Sequence, residues 1–136
     1  MSAPLPLFFA LHGSQEYAAR VAQRFGCSLS AHEEREFEDG EHKSRPLDNV
    51  NGRLVVVVPP YLCYARKERR TQPQDPIITR YVAALIEACG VDSLMTLEVH
   101  NLAAFDNAFR IPTQHLAAAE LFAEHFASLS GAAEVV

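Results

Sequence analysis

Four cations crowd one short stretch of this chain. In YARKERR, Arg66, Lys67, Arg69 and Arg70 are interrupted only by Glu68. Guanidinium and ammonium groups placed this way can grip phosphate oxygens. A second set, Glu98-Val99-His100, brings a carboxylate and an imidazole within reach of one divalent metal. A third, EREFEDGEHK, gathers Glu36, Glu38, Asp39 and Glu41 around one aromatic, Phe37. An aromatic face beside acceptors can stack on a base and accept hydrogen bonds from its amino group. Taken singly, each set has a plainer reading: a solvated charge run, a hydrogen-bonded histidine at a strand end, and an acidic hairpin with Phe37 as its core anchor. In combination the basic and metal-binding sets suit a metal-nucleotide better than either does alone. No glycine-rich phosphate cradle of the G-x-G-x-x-G or P-loop kind occurs. Cys27, Cys63 and Cys89 form no C-x-x-C pair and have no obvious His or Asp partner, so a thiol nucleophile is not expected. Cys63, just ahead of the cations, reads as a small buried apolar residue.

These groups need elements to hold them. Leu5 to Leu11 reads as a buried strand, turned by His12-Gly13, with Ser14 placed to cap a helix. Ala18, Val21, Ala22 and Phe25 recur at helical spacing, and Gly26 sits where a helix-ending glycine belongs. Cys27 to Ser30 is a candidate short strand. Glu33 to Lys43 is expected to be a hairpin closed at Asp39-Gly40, and Asn49 to Gly52 another turn. Leu54 to Val58 has no polar face, as in a sheet covered on both sides. Pro59-Pro60 ends it, and residues 66–75 form a charged loop. Asp75-Pro76 is expected to cap a helix whose apolar face is Tyr81, Val82, Leu85, Ile86 and Cys89, stopped by Gly90. Leu94 to Val99 is a further buried strand ending at His100, and Leu102 to Asn107 a short helix or turn. His115 to Ser128 is expected to be a last helix, with Leu116, Leu121, Phe122 and Phe126 in the core. The final Val135-Val136 is a strand-like pair. Alternating strands and helices point to an α/β domain with a mostly parallel sheet. Ligands of such sheets sit beyond the carboxyl ends of the strands, where YARKERR and Glu98–His100 fall.

A chain of 136 residues fits one domain, 1–136, able to bury a real core. Its net charge of −5 argues against a general nucleic-acid binder, so any basic site is local. Three cysteines without a framework suggest reduced thiols and a cytoplasmic protein. The N-terminal apolar run lacks a basic flank and is broken by proline, so neither a signal peptide nor a membrane span is expected.

In this order the motifs resemble one family, ribose-phosphate pyrophosphokinase, the phosphoribosyl pyrophosphate synthetases. The resemblance is carried by LFFALHGSQEYAARVAQRFG, then EREFEDGEH, then PYLCYARKERRTQPQDPIITRYVAALIEACGVDSLMTLEVHNLAAF, then IPTQHL. It implies a three-layer, phosphoribosyltransferase-like N-terminal domain of an enzyme that transfers the β,γ-diphosphoryl group of ATP to the 1-hydroxyl of ribose 5-phosphate with magnesium, for nucleotide biosynthesis. It implies that Phe37 stacks on adenine, that Asp39 and Glu41 bind the nucleotide, and that the hairpin serves a neighbouring subunit's ATP. Arg66 then contacts the phosphates, with Lys67 and Glu68 adjoining. His100 lies beside the metal and phosphates, with Glu98 as the second metal-side residue. No residue is assigned a covalent catalytic role, since phosphoryl transfer needs mainly charge neutralisation and positioning.

The chain also departs from the family pattern. Glu98-Val99-His100 stands where many members have Asp-x-His, and Arg110 and Gln114 replace acidic positions downstream. The second domain, with its ribose-5-phosphate loop, has no counterpart here. Between the NVNG turn and PYLCYAR the family places a further strand, loop and helix. GRLVVVVPPYLCYARK joins the two ends directly, with roughly thirty to forty residues fewer, about a βαβ crossover. The expected sheet is therefore one strand and one helix short, with apolar surface uncovered. The chain alone is expected to have little or no synthetase activity. Three alternatives remain: a non-catalytic module that associates with its own copies or with full-length synthetase subunits, a degenerate fragment that folds poorly, and an activity on a preformed diphosphate sugar. The last is disfavoured because no Asp-Asp diphosphate loop is present.

Overall fold

Tight turns shape the first part of the chain and a buried strand shapes the second. A computed structural model describes residues 6–129. The chain divides between Arg53 and Leu54 into two compact units.

In the first unit the strand expected at 5–11 contracts to a single parallel bridge, Phe8 to Leu29. The Ser30 amide donates to the Phe8 carbonyl at 2.7 Å, so the short strand expected at 27–30 is the other half of the same bridge. A 3-10 turn at His12–Ser14 leads into α1, Gln15–Arg24. Ser14 holds the N-cap position, but its hydroxyl donates back to the Leu11 carbonyl at 3.0 Å and not to α1. Gly26 ends the helix at φ +73°, as a glycine past a helix end should. Phe25, the last residue of the helical spacing, is exposed; it lies past the last turn of α1, where its ring meets Phe8 at 5.4 Å. The hairpin forms as expected: β1, His32–Glu36, pairs antiparallel with β2, His42–Pro46, with Glu36 opposite His42. Its loop closes because the Phe37 amide donates to the Glu41 carbonyl (2.8 Å) and the Gly40 amide to the Phe37 carbonyl (3.0 Å), with Gly40 at φ +84°. The Asn49–Gly52 turn also forms; the Arg53 amide donates to the Val50 carbonyl at 3.2 Å.

The second unit is a three-stranded parallel sheet, order β3-β4-β5: β3 is Val56–Val57, β4 Ser93–Leu97 and β5 Thr113–Leu116. Helix α2, Ile78–Ala88, lies between β3 and β4 in sequence, α3, Leu102–Ala108, between β4 and β5, and α4 spans Ala119–Leu129. Central β4 alternates half-buried and buried positions, with Leu94 and Thr96 essentially inaccessible. Around Leu94 pack Leu62, Ala65, Ala83, Phe105 and Phe109. The α/β class with a parallel sheet is as expected.

Four details are not. The run Leu54–Val58 supplies only two strand residues, at the sheet edge, and Leu54 is 81% exposed. Paired on one side only, β3 has an open backbone edge, and the exposed apolar side chains around it are what a missing strand and helix would leave. In α2 the inward stripe is Thr79, Val82, Ala83 and Ile86, at i, i+3, i+4 and i+7; Tyr81, Leu85 and Cys89 face solvent. Small Ala83 lets the helix approach the core closely, which larger Leu85 could not. At the end of the chain, His115 and Leu116 belong to β5, paired with Thr96 and Leu97. Helix α4 therefore begins later than expected, and Leu121, Phe122 and Phe126 are exposed. Lastly, Cys63 is exposed, not buried. The expected final strand pair lies outside the described residues.

The burial pattern predicts a contrast between two leucines. Leu94→Ala should cost about 2–5 kcal/mol, the range for emptying a packed core site. Leu85→Ala should stay within about 0.5 kcal/mol. Urea denaturation of the chain measures both, and equal costs would contradict the assigned helix face.

Candidate functional site

The basic stretch is not a loose charge run. The chain leaves β3 at its carboxyl end, turns through Pro59-Pro60, and then puts Leu62 and Ala65 into the core. Arg66 and Lys67 follow at once and are exposed. Two threonines fasten this segment. Thr96, with no exposed surface, donates its hydroxyl to the Pro59 carbonyl at 2.9 Å. Thr79 on α2, also buried, donates its hydroxyl to the Tyr64 carbonyl at 2.8 Å, and its amide to the Lys67 carbonyl at 3.4 Å. Between them Tyr64 is held at φ +59°, a left-handed conformation that costs a non-glycine residue of order 1–3 kcal/mol. Such strain persists only where surrounding contacts enforce it, and it often marks a functional loop.

The downstream end of the loop is closed by Asp75. Its carboxylate accepts from the Thr71 hydroxyl (2.6 Å), the Thr71 amide (3.1 Å) and the Gln72 amide (3.0 Å). The Arg70 guanidinium donates to the Asp75 carbonyl at 3.1 Å. The Thr71 hydroxyl, then the Thr71 and Gln72 amides, hold the Asp75 carboxyl below its ordinary value, with the charge of Lys67 adding to them against a small opposing effect of burial. The expected helix cap is therefore corrected: α2 starts at Ile78 and has no side-chain cap, because the carboxylate finds three nearer donors behind it. Glu68, half-buried among the cations, has one carboxylate oxygen buried without a donor among the described residues. An unpaired buried acceptor at this point is a place a ligand's donor can satisfy.

At the same end of the sheet, β4 gives way to Glu98, at φ +42°. The Glu98 amide donates to the Leu116 carbonyl at 3.1 Å, and one of its carboxylate oxygens accepts from the Ala118 amide, just before α4. His100 is exposed beside Asn101, whose side chain caps α3 by accepting from the Ala104 amide at 3.1 Å. Among the described residues, no three His, Cys, Asp or Glu side chains gather into a metal cage. Glu98 thus offers one uncommitted oxygen. Magnesium commonly needs no more than one or two protein carboxylates when substrate phosphates supply the rest. Arg110, at a family acidic position, donates its amide to the Glu87 carboxylate and its guanidinium to the Asn107 carbonyl, closing the end of α3.

The hairpin residues lie in the first unit. Phe37 sits at the loop, 38% exposed, with the Arg35 guanidinium carbon 4.7 Å from its ring centroid. It is no core anchor. Asp39 accepts the Glu41 amide at 3.1 Å, which leaves the exposed Glu41 side chain projecting from a defined turn. Phe37, Asp39 and Glu41 are therefore brought together by the hairpin. Arg66, Lys67 and Glu68 share one loop of the second unit, and Glu98 and His100 follow its neighbouring strand. Sequence reasoning passed over the two threonines. The signal was a lone polar residue in an apolar strand, SLMTLEV, and in an apolar helix stripe.

The α/β fold that carries this loop is similar to that of a phosphoribosyl pyrophosphate synthetase. The crystal structure of that enzyme from Mycobacterium smegmatis superposes with a TM-score of 0.84 over 90% of this chain and 51% of that one, at 21% identity. The family profile described as the N-terminal domain of ribose phosphate pyrophosphokinase matches residues 7–59 and 52–90, and the chain belongs to that family. Ribose-phosphate pyrophosphokinase 1 of Streptococcus pneumoniae is 39% identical over 80 residues, covering 59% of this chain and 24% of that protein. A second protein of that species, provisionally named ribose-phosphate pyrophosphokinase 2, is 30% identical over 150 residues, covering 87% of this chain and 47% of its own length. The chain thus spans about half the length of that relative and a quarter of the other. The 150 aligned positions exceed 87% of a 136-residue chain by about thirty, and the family profile matches in two pieces that meet at 52–59. The alignment length shows that the relative carries about thirty positions this chain lacks, and the break between the two profile matches falls at the segment that holds β3.

Two outcomes follow from the loop's anchors. Thr96→Val should cost about 0.5–1.5 kcal/mol in urea denaturation, because it removes the donor of the part-buried Pro59 carbonyl. A neutral result would show that the loop does not depend on this bond. For Asp75, whose folded value is depressed, the support it gives the loop is present above the usual 3.8 and lost as the pH falls through the lower folded value. Hydrogen exchange of residues 66–75 should therefore accelerate on acidification in the wild type, beyond the intrinsic pH trend, and be already fast and insensitive in Asp75→Asn.

Proposed function

We propose that this chain is the ATP-handling N-terminal domain of a ribose-phosphate pyrophosphokinase, its two units acting together as one domain. The observation that carries the reading is the basic loop: it is strained, fastened by two buried threonines, and presents Arg66 beyond the end of a parallel sheet. Structure of this kind is unnecessary for a solvated charge run. Arg66 would hold ATP phosphate oxygens in a charge-assisted pair, with Lys67 beside it and the open oxygen of Glu68 facing a ligand donor. His100 would donate to the same phosphates. Magnesium, when bound, supplies charge neutralisation on the phosphates; Glu98, through its uncommitted oxygen, and His100 are the residues of this chain that would hold it. Phe37 would stack on the adenine of a neighbouring copy's nucleotide in a homo-oligomer, with Asp39 and Glu41 binding that nucleotide. In the whole enzyme these groups would orient ATP for transfer of its β,γ-diphosphoryl group to ribose 5-phosphate, giving phosphoribosyl pyrophosphate for nucleotide biosynthesis in the cytoplasm.

By the family resemblance, the ribose-5-phosphate loop belongs to the portion of the relatives that this chain does not span. The chain by itself should bind ATP with magnesium and release little or no AMP when ribose 5-phosphate is added. Calorimetry should show ATP affinity falling about tenfold or more in Arg66→Ala, the loss expected of a hydrogen bond to a charged group. Absence of ATP binding overturns the reading. Turnover that depends on Arg66 and His100 overturns the expected inactivity.

A second reading is a non-catalytic subunit that associates with full-length synthetase. It is favoured by the retained, exposed hairpin loop on a chain half the length of its relative. Co-purification with a full-length synthetase distinguishes it, and a chain that ignores its homologue counts against it.

A further inference from the structure

Glu34, on the inward side of β1, collects three imidazoles. Its carboxylate meets His32 Nε2 at 2.8 Å, His42 Nε2 at 3.4 Å and His12 Nδ1 at 3.6 Å, and it accepts the His12 backbone amide at 3.1 Å. The three histidines come from three elements: the turn before α1, β1 itself and β2. Glu34 and His32 expose only 11% and 12% of their side chains. The Phe9 ring meets His32 edge-on at 6.4 Å, which fixes the imidazole plane. Two other carboxylates of β1 lie near the cluster. Glu36, on the same strand face, stands opposite His42 in the strand register. Glu33 projects to the other face, where Lys43 (3.0 Å) and Arg45 (2.6 Å) occupy it. The His32 hydrogen bond, then the His12 amide and His42 against an opposing effect of burial, keep the Glu34 carboxyl below its ordinary value.

We propose that Glu34 is a proton-linked clamp joining the β1–β2 hairpin to the His12 turn, tightest where its imidazoles are protonated and looser as they lose their protons. The physical basis is simple. A neutral imidazole can still donate one N–H to the carboxylate, but only an imidazolium adds a charge to that bond. The histidine side chain ordinarily changes charge near pH 6.5, whereas the carboxylate does so well below. Between those limits the clamp carries up to three opposite charges around one anion. Above them it keeps the His12 amide and neutral hydrogen bonds. The hairpin loop carries Phe37, Asp39 and Glu41, so under the proposed function the clamp also sets how firmly the base-binding loop is held. The clamp itself does not depend on that reading.

The test is hydrogen–deuterium exchange of the full chain without nucleotide, at pH 5.5, 7.0 and 8.0, corrected for intrinsic rates. Protection of residues 32–46 should fall about two- to fivefold from pH 5.5 to 8.0 for each imidazolium that becomes neutral, the scale of a partly exposed ion pair. Glu34→Gln should abolish that dependence, and Glu33→Gln, on the other face, should leave it intact. If Glu34→Gln does not fold, His32→Gln and His42→Gln decide, each removing part of the response. Equal pH dependence in the wild type and these variants, or none in the wild type, overturns the clamp. Because no nucleotide is present, such a failure is distinct from a failure to bind ATP.

Discussion

One hydroxyl in the middle of the sheet does more to organise this protein's candidate site than any charged group. Thr96 sits at the centre of β4 with no exposed surface, and its hydroxyl reaches the Pro59 carbonyl just after β3. The fully buried Thr96 hydroxyl needs an acceptor and finds the part-buried Pro59 carbonyl, so this bond constrains where the chain can run once the edge strand ends. From that point Leu62 and Ala65 are drawn into the core beside Leu94, and Thr79 ties down the next turn. The exposed position of Arg66 is a consequence of these buried anchors. Without them, a segment with five charges in five consecutive positions would be solvated in many conformations.

The same sheet has a short, thinly covered edge. β3 contributes two residues, paired on one side, although the sequence offers five consecutive apolar positions for a buried strand. The family profile breaks at this place, and Leu54, Val55, Val56 and Val58 are exposed while Val57 packs against the core. The core accordingly rests on β4, α2, α3 and the loop itself. Leu62 and Ala65 are core residues, so the loop itself covers part of the sheet that positions it.

Local chemistry was legible wherever the chain itself closes a hydrogen-bonded ring. Asp39-Gly40 announced the hairpin because a glycine at positive φ suits its turn. Gly26 and Gly90 likewise mark the ends of α1 and α2, both at positive φ. The chain's place in the ribose-phosphate pyrophosphokinase family was also legible, from motif order. The roles of Tyr81, Leu85, Phe122 and Phe126 were not, because an apolar residue on a helix says that some face is buried and not which one. Asp75 misleads for a related reason: Asp-Pro before a helix suggests a cap, yet Thr71 and Gln72 fold back to reach the carboxylate first.

The sequence by itself determined the alternation of strands and helices, the turns, the hairpin and the candidate phosphate- and base-binding residues. Each of these follows from periodicity, from backbone preferences of single residues or from side-chain chemistry. Only the tertiary structure decided that Thr96 and Thr79 anchor the basic loop, that Glu34 gathers three histidines, and that one Glu98 oxygen is already engaged by Ala118. These are pairings between residues distant in the chain. Many donors could satisfy each acceptor, and packing selects the one that is near enough.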